Sequence, residues 1–135
     1  MLGKQQIGRL VALGGALWFL VALYIRFRPG AFLDPVMGTI PFLTAPIAGW
    51  LSVLLCRSVG KLSPSQLLPG VTLVGAVAMM LDGAALRWFS GIYGFNERAL
   101  RLSAAWLLWG YGVAFAVVLA WEGWSRRQSA RSASG

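Results

Sequence analysis

Residues 64–88 read PSQLLPGVTLVGAVAMMLDGAALRW, a long apolar run in which Asp82 and Arg87 are the only charged residues. Crossing about 30 Å of hydrocarbon takes roughly 20 consecutive apolar residues in a helix, so this run predicts a transmembrane helix. Its start is marked by Ser63-Pro64-Ser65-Gln66, which reads as a capping box with proline at the first helical position.

Three further apolar runs predict three more spans, at about residues 7–27, 35–57 and 97–121. Pro29-Gly30 ends the first, and Asp34-Pro35 is a suitable N-cap pair for the second. Short connections favour consecutive helices that lie antiparallel. The predicted fold is therefore all-α: an antiparallel four-helix transmembrane bundle over residues 1–124, with a disordered basic tail at residues 125–135.

The composition supports a membrane protein and leaves little for catalysis. The chain is 58% hydrophobic and only 12% charged, whereas soluble domains carry about 25% charged residues. It has no histidine and a single cysteine, Cys56, so the commonest metal ligand, the usual general base and any intrachain disulfide are absent. We expect no enzyme activity, no catalytic residue, no metal and no cofactor.

The net charge of +8 comes from basic residues at the ends of the apolar runs. That placement favours contact with anionic lipid headgroups over nucleic acid. One predicted side of the membrane holds Lys4, Arg9, Arg57, Lys61, Arg126, Arg127 and Arg131, and the other holds Arg26, Arg28, Arg98 and Arg101, with Arg87 near its edge. The bias predicts a bacterial inner membrane protein with both termini in the cytoplasm.

Asp82 is the most informative residue, because a charged group near the middle of a span costs roughly 2.5–3.5 kcal/mol and should face protein or water. It is either a proton or cation site or a structural partner of an arginine. Arg87 lies about 140° around the same helix and is a poor partner, whereas Arg26 or Arg28 could approach from span one.

Two prolines, Pro41 and Pro46, lie inside span two. Either this span is a kinked helix, or residues 34–40 form a separate turn before a shorter helix. A broken start with Asp34 nearby could offer polar groups to a substrate, as discontinuous helices do in transporters. The alternative is a simple kink, which is common in membrane helices.

Small residues and aromatic residues form two further patterns. Gly75, Met79 and Gly83 recur every four residues, and the pairs Ala45 with Gly49 and Gly14 with Gly15 are similar; all favour close helix packing. Trp106, Trp109 and Tyr111 form a candidate aromatic face in span four, suited either to stacking on a ligand or to packing against helices and lipid.

The second half of the chain resembles an uncharacterised family of small bacterial four-helix membrane proteins, a domain of unknown function. The resemblance rests on the MMLDG run at residues 79–83, the WF pair at residues 88–89 and the AAWLLWGYG run at residues 104–112, and covers residues 75–115. It implies four spans and singles out Asp82, Trp106, Trp109 and Tyr111. It implies no activity, substrate or cofactor.

Two functions are compatible with these features. The first is a non-enzymatic accessory or scaffold bundle, because catalytic groups are scarce while small-residue and tryptophan-rich faces are abundant. The second is a small oligomeric transporter or channel that uses Asp82 and the proline-broken start of span two. The expected partners are membrane lipids and either further copies of the chain or another membrane protein, and not nucleic acid.

Overall fold

The computed structural model describes residues 1–133, and this part of the chain is helical apart from short connections. The α-helices are α1 (Lys4–Phe27), α2 (Gly30–Leu33), α3 (Pro35–Gly60), α4 (Leu67–Trp88) and α5 (Glu97–Ala133). Two 3-10 turns, Pro64–Gln66 and Ser90–Ile92, precede and follow α4. Residues 1–133 contain no strand, so the all-α prediction is confirmed for this part of the chain.

Four helices are long and apolar enough to cross a membrane: Lys4–Phe27, Pro35–Gly60, Pro64–Trp88 and Glu97–Ser125, with mean hydropathies of 1.7 to 2.0. Many large apolar side chains on them lie on the outer surface, including Leu43 (73% exposed) and Met80 (76% exposed). Such an exterior would be unfavourable in water and suits a hydrocarbon environment.

Local capping determines where two of these helices begin. The Asp34 carboxylate accepts hydrogen bonds from the backbone amides of Val36 (2.8 Å) and Met37 (2.7 Å), so it caps α3 as the Asp-Pro pair predicts. The backbone amide of Ser63 donates to the side-chain oxygen of Gln66 (3.1 Å), as in the predicted capping box.

Helix α3 runs without a break from Pro35 through both internal prolines to Gly60. The separate turn predicted as one alternative at residues 34–40 does not form; the short helix α2 precedes Asp34 instead. Because Pro46 has no amide hydrogen, the carbonyl of Phe42 one turn earlier lacks its usual partner. The indole nitrogen of Trp109 on α5 donates to that carbonyl oxygen at 3.0 Å, which keeps the proline compatible with a continuous helix.

Contacts at the helix ends show the directions of the long helices. Gln6, near the start of α1, donates to the carbonyl oxygen of Gly60 at the end of α3 (3.1 Å) and to the side chain of Gln66 just before α4 (3.2 Å). At the opposite end, Arg26 of α1 donates to the carbonyl oxygen of Gly91 just after α4. Helices α1 and α4 therefore run in the same direction, and α3 runs against them.

The most extensive packing joins α1 with α4 and α3 with α5, and consecutive spans pack less extensively than the sequence predicts. Glycines explain both pairings. A Cβ added at Gly14 would lie 3.0 Å from the carbonyl oxygen of Val74, and one added at Gly49 would lie 3.3 Å from Cα of Ala114. Gly15 has open space around it, so only part of the small-residue pattern marks helix contacts.

Two buried apolar clusters lie at opposite ends of the helix assembly. The first comprises Leu10, Val53, Cys56, Leu62, Leu67, Val71, Val74 and Val118. The second comprises Ala22, Ile25, Phe32, Ala85 and Tyr93. A cavity described below lies beside the first cluster, whose Cys56, Val71 and Val74 form part of its wall.

Helix α5 extends well beyond the apolar span, to Ala133. The sequence predicts a disordered tail from Ser125, so the two differ over residues 125–133. Relative to alanine, serine, arginine and glutamine each destabilise a helix by less than about 0.7 kcal/mol, and no proline interrupts this segment. The helix already formed in the span can therefore continue into it, because adding a residue to an existing helix is easier than starting a new one. Residues 134 and 135 lie outside the described part of the chain.

Candidate functional site

Asp82 is buried inside the helix assembly, with 6% of its surface exposed. Each of its carboxylate oxygens accepts a hydrogen bond from a different tyrosine. Oδ1 accepts from the hydroxyl of Tyr93, and Oδ2 accepts from the hydroxyl of Tyr111. The acidic group is thus satisfied by two neutral donors rather than by a second buried charge.

A third side chain extends this arrangement to α1. The indole nitrogen of Trp18 donates to the Tyr93 hydroxyl oxygen at 2.9 Å, and Tyr93 in turn donates to Asp82. Trp18 belongs to α1, Asp82 to α4, Tyr93 to the connection after α4, and Tyr111 to α5. We call these four residues the Asp82 cluster. Hydrogen bonds to a charged acceptor contribute roughly 1.5–3 kcal/mol each, so the cluster is well suited to holding three helices and a loop in one arrangement.

Tyr93 lies outside the spans, in the connection between α4 and α5, yet only 2% of its surface is exposed. Burial raises the pKa of its hydroxyl well above the ordinary value, and the hydrogen bond to Asp82 raises that pKa further. The hydroxyl therefore keeps its proton at neutral pH and acts as a donor to the carboxylate.

The arginines predicted as partners of Asp82 have other positions. Arg26 donates to the backbone carbonyls of Gly91 and Ile92 and so holds the connection after α4 against α1. Arg28 and Arg87 are exposed. In the described part of the chain, hydroxyls take the place of an arginine beside Asp82, which avoids the large desolvation cost of burying a guanidinium.

Asp34, the other acidic candidate, is exposed and caps α3. Its carboxylate is engaged by backbone amides of α3 rather than by groups of the Asp82 cluster. The structure therefore does not unite the predicted polar residues in one site.

The predicted aromatic face divides into three separate environments. Tyr111 contacts Asp82, while Trp109 is 50% exposed and donates to α3. Trp106 packs against the rings of Tyr24 and Phe32, with ring centroids 5.9 and 5.5 Å away. The reason is helical geometry: at 100° per residue, positions 106, 109 and 111 point in different directions.

Trp18 and Tyr93 belong to the site but are missed by the sequence reasoning. A tryptophan in an apolar span and a tyrosine in a connection are both typical of membrane proteins, where such rings occupy the interfaces. No spacing links either residue to Asp82, since they lie on different elements.

An apolar cavity of about 180 Å³, half open to the surface, lies next to the Asp82 cluster, between α1, α3, α4 and α5. Trp18 and Tyr111 belong to both the cluster and the cavity wall. Trp106 also lines the cavity, and its buried indole nitrogen has no hydrogen-bond partner in the described residues. A buried donor left without an acceptor costs roughly 1–3 kcal/mol, and among the side chains that the structure describes this nitrogen is the one buried polar atom without a hydrogen-bond partner.

Among the residues that the structure describes, no three His, Cys, Asp or Glu side chains are grouped closely enough to hold a metal ion. The two chemically distinctive features are the Asp82 cluster, whose polar groups satisfy one another, and the apolar cavity beside it.

A comparison with protein-family models finds no match for this chain, and comparisons with curated proteins and with solved structures find none either.

Proposed function

We propose that this protein is a small integral membrane protein whose four long helices cross the bacterial inner membrane and serve as a non-enzymatic accessory or scaffold bundle. The observation that supports this most directly is the Asp82 cluster. Both carboxylate oxygens are engaged by tyrosine hydroxyls from other elements, so these polar groups bond one another and link the helices.

The orientation in this proposal follows from the basic residues. The N-terminus and the connection between α3 and α4 meet through Gln6 and Gly60, and both carry basic residues, among them Lys4 and Lys61. The excess of lysine and arginine at this end favours a cytoplasmic position for it and for both termini. Anionic headgroups are the expected lipid contacts there.

An accessory protein should be found with another polypeptide. We would extract the tagged chain from its own membrane in a lipid-preserving form and record native mass spectra, with an untagged strain treated identically as the control. The expected result is a mass equal to this chain plus a second, different polypeptide in fixed ratio. A monomer or homo-oligomer alone, together with any activity of the purified chain in liposomes, would overturn the accessory role.

A second function, a small transporter or channel, has one observation in its favour. Tyr111 both donates to Asp82 and lines the half-open cavity, so a single hydroxyl separates an ionisable group from that cavity. The prolines of α3 give little support to the transporter alternative. The carbonyl that Pro46 leaves without an amide partner already accepts a hydrogen bond from Trp109, so it is not free to bind a substrate.

Proton flux into liposomes separates the two functions. A transporter that relies on Asp82 should lose flux in the Asp82→Asn variant and keep it in the matched Asp34→Asn variant, whose carboxylate is exposed. The scaffold proposal expects the parent and both variants to show the flux of empty liposomes.

A further inference from the structure

The second half of α3 carries a row of exposed side chains that ends in an arginine. Ile47, Trp50 and Leu54 are 64%, 43% and 38% exposed. Arg57 follows them and is exposed as well. Steps of three, four and three residues place these four side chains, which we call the α3 stripe, on one face of the helix. At 1.5 Å per residue the stripe measures about 15 Å, which is half of the roughly 30 Å hydrocarbon layer and therefore matches one leaflet.

Helix α5 holds the charged end of the stripe in place. The Arg57 guanidinium lies over the ring of Trp121, with its central carbon 5.9 Å from the ring centroid. Trp121 in turn stacks on Trp50, with ring centroids 4.7 Å apart and 34° between the ring planes. A guanidinium within about 6 Å of a tryptophan ring is attracted to the face of that ring. The position of the guanidinium at the end of the stripe is therefore set by two aromatic rings.

Two positive charges at this end of α3 are not neutralised by the part of the chain that the structure describes. Neither Arg57 nor Lys61, one turn later, forms an ion pair with a described carboxylate, and both side chains are exposed. Glu122, which follows Trp121 in the sequence, has an interaction partner other than Arg57. The surface therefore attracts an anion. A second copy of the chain docked here in the same orientation would instead bring two Arg57 side chains together, which is unfavourable.

We propose that one anionic phospholipid occupies the α3 stripe, with a phosphate oxygen accepting hydrogen bonds from Arg57 and an acyl chain lying along Ile47, Trp50 and Leu54. Arginine suits this role because its planar group binds phosphate through two parallel N–H···O bonds. Lys61 disfavours a headgroup that carries an ammonium group beside its phosphate, because like charges repel. The inference rests on the membrane location in the proposed function and is independent of the accessory role.

Native mass spectrometry measures the affinity for the first bound lipid. We would titrate phosphatidylglycerol and phosphatidylethanolamine with identical acyl chains into the full chain in a non-ionic detergent. We expect phosphatidylglycerol to bind more tightly, at one molecule per chain. Arg57→Gln should weaken its binding about tenfold or more, the factor for a hydrogen bond to a charged group. Glycerol 3-phosphate, which has the phosphate without acyl chains, should not displace the lipid at matched concentration.

Two control variants separate a built site from the general attraction of a positive surface. Arg57→Lys keeps the charge, which also offsets the negative end of the α3 dipole, but loses the planar group. We expect it to bind phosphatidylglycerol nearly as weakly as Arg57→Gln. Arg9→Gln removes an exposed charge of α1 at the same end of the molecule and should weaken binding by about fivefold at most. Melting temperatures equal to that of the parent show that each variant is folded.

Several results would overturn the lipid site. Arg57→Lys binding as tightly as the parent would show that charge alone attracts the lipid, and an equal loss in Arg9→Gln would spread the attraction over the whole end. Equal affinity for the two lipids would remove the selection of an anion, and displacement by glycerol 3-phosphate would identify a soluble phosphate compound as the ligand. Failure of the proposed membrane location is distinguishable, because the chain would then not enter bilayers at all.

Discussion

Replacing Tyr111 with phenylalanine removes one hydroxyl and nothing else from the Asp82 cluster. Oδ2 of Asp82 then loses its donor, while Oδ1 keeps the hydrogen bond from Tyr93. Hydrogen bonds to charged groups contribute roughly 1.5–3 kcal/mol, and measured interhelical hydrogen bonds in membranes average about 0.6 kcal/mol with a maximum of about 1.7. The ranges overlap near about 1.5 kcal/mol, which we take as the expected destabilisation of Tyr111→Phe.

Equilibrium unfolding in mixed micelles measures this quantity, and 1.5 kcal/mol corresponds to roughly a tenfold change in the unfolding constant. The control is Tyr24→Phe, because Tyr24 is 41% exposed and packs through its ring against Phe32. We expect that variant to stay close to the parent. If Tyr111→Phe is as stable as Tyr24→Phe, the hydrogen bond to Asp82 contributes nothing and the cluster does not hold the helices together.

A double-mutant cycle extends this test to the second tyrosine. Tyr93 and Tyr111 share one carboxylate, and residues in one hydrogen-bond network show coupling energies of about 0.5–3 kcal/mol. The double variant should therefore depart from the sum of the single variants. Additivity within the error of measurement would mean that the two hydroxyls act independently of each other, and would contradict the expected coupling through Asp82.

Three further changes test other parts of the structure. Asp82→Ala should be less stable than Asp82→Asn, because the asparagine amide can still form hydrogen bonds with both tyrosine hydroxyls. Thermal melting in detergent compares the two variants, and equal melting temperatures would contradict this order. Gly49→Leu should lower the free energy of unfolding by about 1–3 kcal/mol, because it forces a side chain against the backbone of α5. Gly15→Leu should leave the free energy of unfolding unchanged, because Gly15 has open space around it. Unfolding in mixed micelles compares the two variants. Trp109→Phe should destabilise the parent protein measurably. The same substitution should destabilise the Pro46→Ala variant much less, because alanine at position 46 supplies an amide hydrogen for the Phe42 carbonyl. An equal loss of stability in both proteins would show that Trp109 does not replace this missing hydrogen bond.

Hydropathy and capping signals in the amino-acid sequence were enough to predict the helical class and the approximate positions of the four long helices. Hydropathy summed over some twenty residues is insensitive to how a helix is rotated, so it indicates spans well. Capping signals are equally local: Asp34 with Pro35, and Ser63 with Gln66, act within a single turn. The end of α5 was harder to predict, because polar residues after Trp124 are compatible with either a helix or a disordered tail.

Which side chains contact one another could be learned only from the packed helices. Asp82 was recognisable from its position in an apolar run of the sequence. Its hydrogen-bond donors, Tyr93 and Tyr111, lie 11 and 29 residues further along the chain, on a loop and on another helix. The free indole of Trp106 and the cavity it lines depend in the same way on neighbouring helices. Contacts between helices depend on how each helix is rotated about its axis and shifted along it. A nearly uniform apolar surface does not specify either, so they are determined by the small residues and hydrogen-bonding groups through which different helices pack against one another.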